Sequence, residues 1–153
     1  MNAQQKFDMS VLDKLVEYAI KHGTKIIDEN SLNKYIYDNK EPGSDRLIRG
    51  RTGEAYKVTL DGIEVRAGSW KTTLDAGNYG RTYSDEYWRN VMILKNGKSV
   101  LEALRKTGGE KGFIGMFRRE KEEINPIPWD LEKFDMPEEL VEHLYKISKN
   151  LPS

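Results

Sequence analysis

Val11, Leu12, Leu15, Val16, Ala19 and Ile20 recur at helical spacing, which predicts a first helix with Asp8 or Ser10 as its N-cap. Gly23 falls where a C′ residue in the left-handed region closes a helix. Ile26-Ile27 is a short apolar run with the look of a strand, and Ser31 to Tyr37 suits a second, short helix bearing Leu32, Tyr35 and Ile36 on one side. Glu41-Pro42-Gly43-Ser44 then reads as a loop. The strongest local signal lies further on. Tyr56 to Leu60 and Ile63 to Ala67 alternate apolar and polar side chains around Asp61-Gly62, a dipeptide suited to a type I′ turn because both central residues need positive φ. A two-residue loop pairs Leu60 with Ile63, Val58 with Val65 and Tyr56 with Ala67, and puts all six on the core side.

Beyond the hairpin the period blurs. Residues 71–84, with Gly77 and Gly80, read as a loop or irregular strand. Tyr87, Trp88, Val91 and Met92 fit a helical stripe that starts at Ser84-Asp85-Glu86, while Val91 to Leu94 fit a buried strand turning at Asn96-Gly97. Both readings of 85–97 stay open. Val100, Leu101 and Leu104 predict a helix over Ser99–Lys106, stopped by Gly108-Gly109. Phe113, Ile114, Met116 and Phe117 form an apolar patch of undetermined type, and Pro126 and Pro128 break the chain around Trp129. A final helix starts after Asp135 or Met136, with Pro137 at N1, Glu138 and Glu139 in the first turn, and Leu140, Val141, Leu144 and Ile147 as its stripe. The fold class expected is α+β. It comprises one domain over residues 1–153, with a helical part at about 8–40, a β part at about 46–94 built on an antiparallel hairpin, and a second helical part at about 99–150.

Composition narrows the class. Ile, Leu, Val and Phe supply 35 of 153 residues, just above the share of roughly 20% below which chains stay disordered. The longest apolar run, Val91 to Leu94, is far short of the roughly 20 residues that span a bilayer, so no membrane partner is expected. The polar start of the chain shows no secretory leader, and the absence of cysteine removes disulfides and thiolate chemistry, which points to the cytoplasm.

The net charge of zero conceals an asymmetry. Residues 1–45 hold 6 basic and 8 acidic side chains, residues 46–119 hold 15 and 8, and residues 120–153 hold 4 and 9. A basic middle attracts phosphates or an acidic surface, unless the acidic C-terminal helix folds against it. Arg46, Arg49 and Arg51 fall within six residues, and Arg suits bidentate contact with phosphate or carboxylate. Lys57 is expected opposite Arg66 on the outer face of the hairpin, a like-charge pair that favours an approaching anion. Trp70, Tyr79, Tyr83, Tyr87 and Trp88 place five of 15 aromatics in 19 residues, interleaved with Lys71, Arg81 and Arg89. Aromatics beside cations suit both base stacking and protein interfaces. The expected binding residues are therefore Arg46, Arg49, Arg51, Lys57, Arg66, Lys71, Tyr79, Arg81, Tyr83 and Arg89, with Trp70 and Trp88 assigned to the core.

Catalytic signals are thin. Two histidines, His22 and His143, and no cysteine leave no histidine-rich metal site, and no HExxH or GxSxG stretch occurs. Gly97-Lys98-Ser99 resembles the end of a phosphate-binding loop but has Met92 where the first glycine belongs, so a turn or cap accounts for it better. Gly108 to Gly112 could form a weak anion-binding nest. No metal and no cofactor are expected. His22-Gly23-Thr24 resembles the His-Gly-Thr of the first strand of some ADP-ribosyltransferases, and Glu120-Lys121-Glu122 resembles their acidic end motif. The resemblance covers six of 153 residues and departs where His22 ends a helix rather than sitting on a strand. It would imply that His22 contacts a nicotinamide ribose and that the late glutamate orients the acceptor.

The sequence favours a non-enzymatic binding or inhibitor protein that engages a protein or nucleoprotein complex, or nucleic acid directly, through the basic, aromatic-rich middle. Small, cysteine-free, Lys/Glu/Asn-rich chains resemble accessory proteins of phages and mobile elements, some of which are anti-CRISPR proteins. A sponge that sequesters a nucleotide-derived signal in a closed pocket of the same residues is the alternative, followed by the transferase. The oligomeric state is open.

Overall fold

The structure, a computed structural model, describes residues 7–26, 48–75, 82–113, 119–122 and 128–152. Two Xxx-Gly turns shape it. Asp61 and Gly62 have φ of 50° and 80°, and Asn96 and Gly97 have 54° and 76°, the left-handed pairs that a type I′ turn demands. Each turn folds two long strands into a hairpin: β2 (Ile48–Leu60) with β3 (Ile63–Asp75), and β4 (Thr82–Lys95) with β5 (Lys98–Phe113). The sheet runs β1 (Thr24–Lys25), β2, β3, β4, β5 and β6 (Arg119–Glu122), all antiparallel. The seventh strand, β7 (Asp130–Phe134), pairs with β5 near the Asn96-Gly97 turn, while β6 pairs near its far end.

One helix precedes the sheet and one follows it: α1 (Ser10–His22) and α2 (Glu138–Lys149). Leu12, Leu15, Val16 and Ala19 of α1 and Leu140, Val141 and Leu144 of α2 pack on Ile63, Val65, Ala67, Val91, Ile93, Leu101 and Ala103. Full burial of each large side chain stabilises the fold by about 1.5–3 kcal/mol. Phe7 adds an edge-on contact with Phe134 at 5.6 Å and a stacked one with Tyr145 at 6.2 Å, joining the entry to α1 with β7 and α2. These contacts lie towards the turn end of the strands. A second, smaller core of Ala55, Trp70, Trp88 and Leu104 occupies the opposite face, with the two indoles stacked at 6.4 Å.

The α+β class holds, and so does the first hairpin, with Leu60–Ile63, Val58–Val65 and Tyr56–Ala67 paired as expected, although Tyr56 belongs to neither core and instead reaches Glu54 at the sheet edge. Residues 85–95 are strand, and 96–97 are the turn. The helix expected over Ser99–Lys106 is instead β5, and the β part extends to Phe134 rather than ending near residue 94. The spacing of Val100, Leu101 and Leu104 resembles a helical stripe because β5 is buried on both faces. Leu101 and Ala103 serve the helix-side core, Leu104 serves the other, and a bulge at Val100 interrupts the alternation. Residues 71–75 continue β3, and Gly108 to Gly112 lie in a paired strand rather than an anion-binding nest. Gly97-Lys98-Ser99 is the exit of a hairpin turn.

Gly23 corrects the expected helix ending. Its φ of −79° and ψ of 172° are extended, not left-handed. Glycine is required because a Cβ would lie 2.3 Å from the Ala19 carbonyl oxygen and 2.7 Å from that of Lys57, where α1 runs into the sheet edge. The cap positions also differ from those expected: Met9 rather than Asp8 or Ser10 precedes α1, with Asp8 Oδ1 accepting from Ser10 N–H at 3.0 Å, and Pro137 rather than Asp135 or Met136 precedes α2. The strand expected at Ile26-Ile27 is Thr24–Lys25, with Ile26 N–H donating to Ala55 O at 2.8 Å. The short helix over 31–37, the loop at 41–44, and Ile27, Gly77, Gly80, Ile114, Met116, Phe117 and Pro126 lie outside the described residues.

Candidate functional site

Antiparallel register decides which expected binding residues can act together. On β3, Ile63, Val65 and Ala67 face the helices, so alternation puts Ser69 and Lys71 on that side and Glu64, Arg66 and Trp70 on the other. On β4, Val91 and Ile93 face the helices, and Arg89 and Tyr87 follow them. Lys71 and Tyr87 are register partners, and so are Arg89 and Arg105. Directly opposed Cβ atoms lie about 5 Å apart and diagonal ones about 7–8 Å, so Lys71, Arg89 and Arg105 form one cationic cluster beside Tyr87. The cluster lies just past the last residues that the helices cover.

Arg105 is the fixed member. Its guanidinium meets Asp13 Oδ1 of α1 at 2.6 Å and lies 5.4 Å from the centre of the Trp129 ring, while Trp129 Nε1 donates to the same carboxylate oxygen at 2.9 Å. Among the described residues, no ion pair within 4 Å engages Lys71 or Arg89. The neighbouring buried carboxylate, Asp85, accepts instead from Thr73 Oγ1 at 2.6 Å. Like charges directly across a sheet are unfavourable, and one of the two opposed arginines here has its own carboxylate while the other has none in the described structure.

The remaining expected residues separate from this cluster. Lys57 and Arg66 are opposed as expected, but on the other face of the sheet, where Arg66 Nε meets Glu64 Oε2 at 2.9 Å and so relieves their repulsion. Trp70 and Trp88 are core, as assigned. Arg51 is opposite Thr72, one step from the Thr52–Lys71 pair, Arg49 lies in the irregularity between Ile48 and Gly50, and Tyr83 is opposite Gly112. Arg46, Tyr79 and Arg81 lie outside the described residues. Sequence reasoning missed Arg105, Asp13 and Trp129. Arg105 was hidden inside a supposed helix, and only the register of β4 with β5 places it opposite Arg89. Between the acidic C-terminal helix and the basic middle, His143 Nε2 lies 3.2 Å from Asp61 Oδ2 at the first turn, a contact of reversed polarity.

An edge cluster forms where β1 meets β2. Glu54 accepts from Tyr56 Oη at 2.6 Å and from Lys25 Nζ at 2.9 Å, which holds its carboxyl below the usual value and raises both partners above theirs. All three are surface groups of the sheet edge.

The transferase pattern does not assemble. His22 ends α1 beside β1, whereas Glu120 and Glu122 lie on β6, at the opposite end of the strand order. Among the described residues, no group of three His, Asp or Glu side chains could hold a metal ion, and no helix is long and apolar enough to cross a membrane. Compared with protein-family models, curated proteins and solved structures, the chain matches none.

Proposed function

We propose that this protein is a non-catalytic binding protein that engages the phosphate backbone of a nucleic acid, free or within a nucleoprotein complex, through the helix-side face of β3–β5. The juxtaposition of Arg89 with Arg105, and of Lys71 one diagonal away, carries this reading. Two half-buried cations without a described carboxylate, next to a third held rigid by Asp13 and Trp129, make a preorganised anion site. Tyr87 in the same row offers a ring for base or sugar contact. The arginine-rich start of β2 lies at the same end of the sheet, since Thr52 partners Lys71. This setting fits a cytoplasmic accessory or inhibitor protein of the kind phages and mobile elements carry, a likeness supported by composition.

Fluorescence anisotropy with labelled single- and double-stranded oligonucleotides over a range of salt tests the reading. Affinity should fall linearly with salt on logarithmic axes, and Lys71→Ala with Arg89→Ala should weaken binding at least about tenfold and lower the salt slope by about 2. The melting temperature should barely move, because neither side chain belongs to a core and substitutions at such surface positions usually stay within about 0.5 kcal/mol. Absent binding at low salt, or binding indifferent to the double substitution, would remove this face as a nucleic-acid site.

A further inference from the structure

A second candidate site lies away from the sheet face, where the C-terminal half of α1 meets the end of α2. We infer that this groove binds a mononucleotide: a planar heteroaromatic ring carrying phosphate. It encloses about 390 Å³, within the roughly 300–1,000 Å³ usual for small-molecule sites. Lys14, Tyr18 and Lys21 line it from α1 at spacings of four and three residues, so they share one side of the helix. That side is distinct from the stripe of Leu12, Leu15, Val16 and Ala19 that builds the core. Tyr18 is part of neither apolar core, yet its ring lies 4.8 Å from the His22 ring at a tilt of 42°. Leu151, half-buried, adds apolar surface beside this aromatic pair. A flat heteroaromatic ring fits against such a wall.

The rim selects for negative charge. Lys14, Lys21 and Lys149 surround the groove against a single acid, Glu17. Among the described residues, no ion pair within 4 Å joins Glu17 to any of them. Lys21 and Lys149 also suit the C-terminal ends of their helices, but Lys14 lies in the middle of α1, where the helix dipole gives no reason for a cation. Lys14 and Lys21 stand seven residues apart, about 10 Å along the axis, a span that a ring and its phosphate can bridge. None of these residues belongs to the sheet-face cluster, so the two sites stand or fall separately.

Isothermal titration calorimetry of the full chain with AMP, adenosine and inorganic phosphate tests the assignment. AMP should bind saturably, with adenosine and phosphate each at least about tenfold weaker because each supplies half of the recognition. Lys21→Ala with Lys149→Ala, both exposed, should weaken AMP binding about tenfold without changing the melting temperature. Lys71→Ala with Arg89→Ala should leave it unchanged. In proton NMR, AMP should shift the ring signals of His22, identified by their loss in His22→Gln, because the chain has only one other histidine. No saturation at millimolar AMP would overturn the inference, as would affinity unchanged by the Lys21 and Lys149 substitutions or phosphate binding as tightly as AMP.

Discussion

The two ends of the sheet use the same strands for different purposes. Near the Asp61-Gly62 and Asn96-Gly97 turns, the side chains on the helix side are Ile63, Val65, Ala67, Val91, Ile93 and Leu101, and two helices cover them. Towards the other end, the same rows continue as Ser69, Lys71, Tyr87, Arg89 and Arg105. Arg105, held by Asp13 of α1, marks the boundary. The turn end is organised by removal of apolar surface from water, a term of kilocalories per side chain. The other end is organised by charges whose intramolecular pairing is worth little, and whose value depends on what approaches them.

The largest expected effect tests this division directly. Leu101→Ala, fully buried between the helices and the sheet, should destabilise the protein by about 2–5 kcal/mol. Lys71→Ala, two strands away in the cationic cluster, should stay within about 0.5 kcal/mol of the parent. Urea denaturation of both variants measures the contrast. Comparable losses would mean that the cationic end also carries the fold.

Next come two glycines within the strands. A Cβ at Gly53 would stand 2.4 Å from Trp70 Cβ, so Gly53→Ala should cost about 1–3 kcal/mol through displacement of the far-face core. At Gly108 the nearest atom to a Cβ is Tyr87 Cδ2 at 3.7 Å, an ordinary contact. Gly108→Ala should therefore be neutral or stabilising by up to about 1 kcal/mol. Thermal melts that rank the two the other way round would contradict the β2–β3 and β4–β5 registers.

Asp13→Ala should have a smaller effect on stability and a more telling one on binding. It removes the acceptor shared by Arg105 and Trp129, at a cost of about 1 kcal/mol. It also leaves Arg105 without that carboxylate, opposite Arg89. Nucleic-acid affinity should fall, because Arg105 is no longer held in place for an anion, and an unchanged or higher affinity would show that its fixed position contributes nothing to the site.

The smallest effect concerns pH at the β1–β2 edge. The Glu54 carboxyl lies below its ordinary value, chiefly through the Tyr56 hydroxyl and then Lys25. A lowered carboxyl contributes stability above the ordinary carboxylate value and loses it as pH falls through the folded-state value. Lys25 and Tyr56 are raised, so their contribution is present below their ordinary values and fades in strong alkali. Glu54→Gln should slightly lower the neutral plateau of the melting-temperature profile and so flatten its acid limb, leaving the strongly acid end in place.

The first hairpin was legible because every instruction for it is local: Asp61-Gly62 accepts positive φ, and the flanking residues alternate. The second hairpin has an equivalent turn in Asn96-Gly97, yet its strands are buried on both faces near that turn, which erases the alternation that separates strand from helix. That is why Val100, Leu101 and Leu104 pointed to a helix. Both terminal helices were readable from their stripes. Gly23 was recognised as a stop, but the reason for it is tertiary, since it is the carbonyl of Lys57 on β2, as well as that of Ala19, that leaves no room for a side chain.

For the site, the sequence by itself determined that cations and aromatics concentrate in the middle of the chain and that histidines and cysteines are scarce or absent. It also determined the Lys57–Arg66 opposition, because a two-residue turn fixes register one pair at a time. Only the tertiary structure decided which cations share a surface. Alternation sends Lys57 and Arg66 to one face of the sheet and Lys71 and Arg89 to the other, and pairing between strands brings Arg105 next to Arg89 across the Asn96-Gly97 turn, which is several residues away from each of them. It also brought Asp13, 92 residues distant in sequence, onto Arg105. Local turns and periodicities follow from short-range sterics and so are written in neighbouring residues. The meeting of distant side chains depends on how whole strands and helices pack, and no short stretch of sequence contains it.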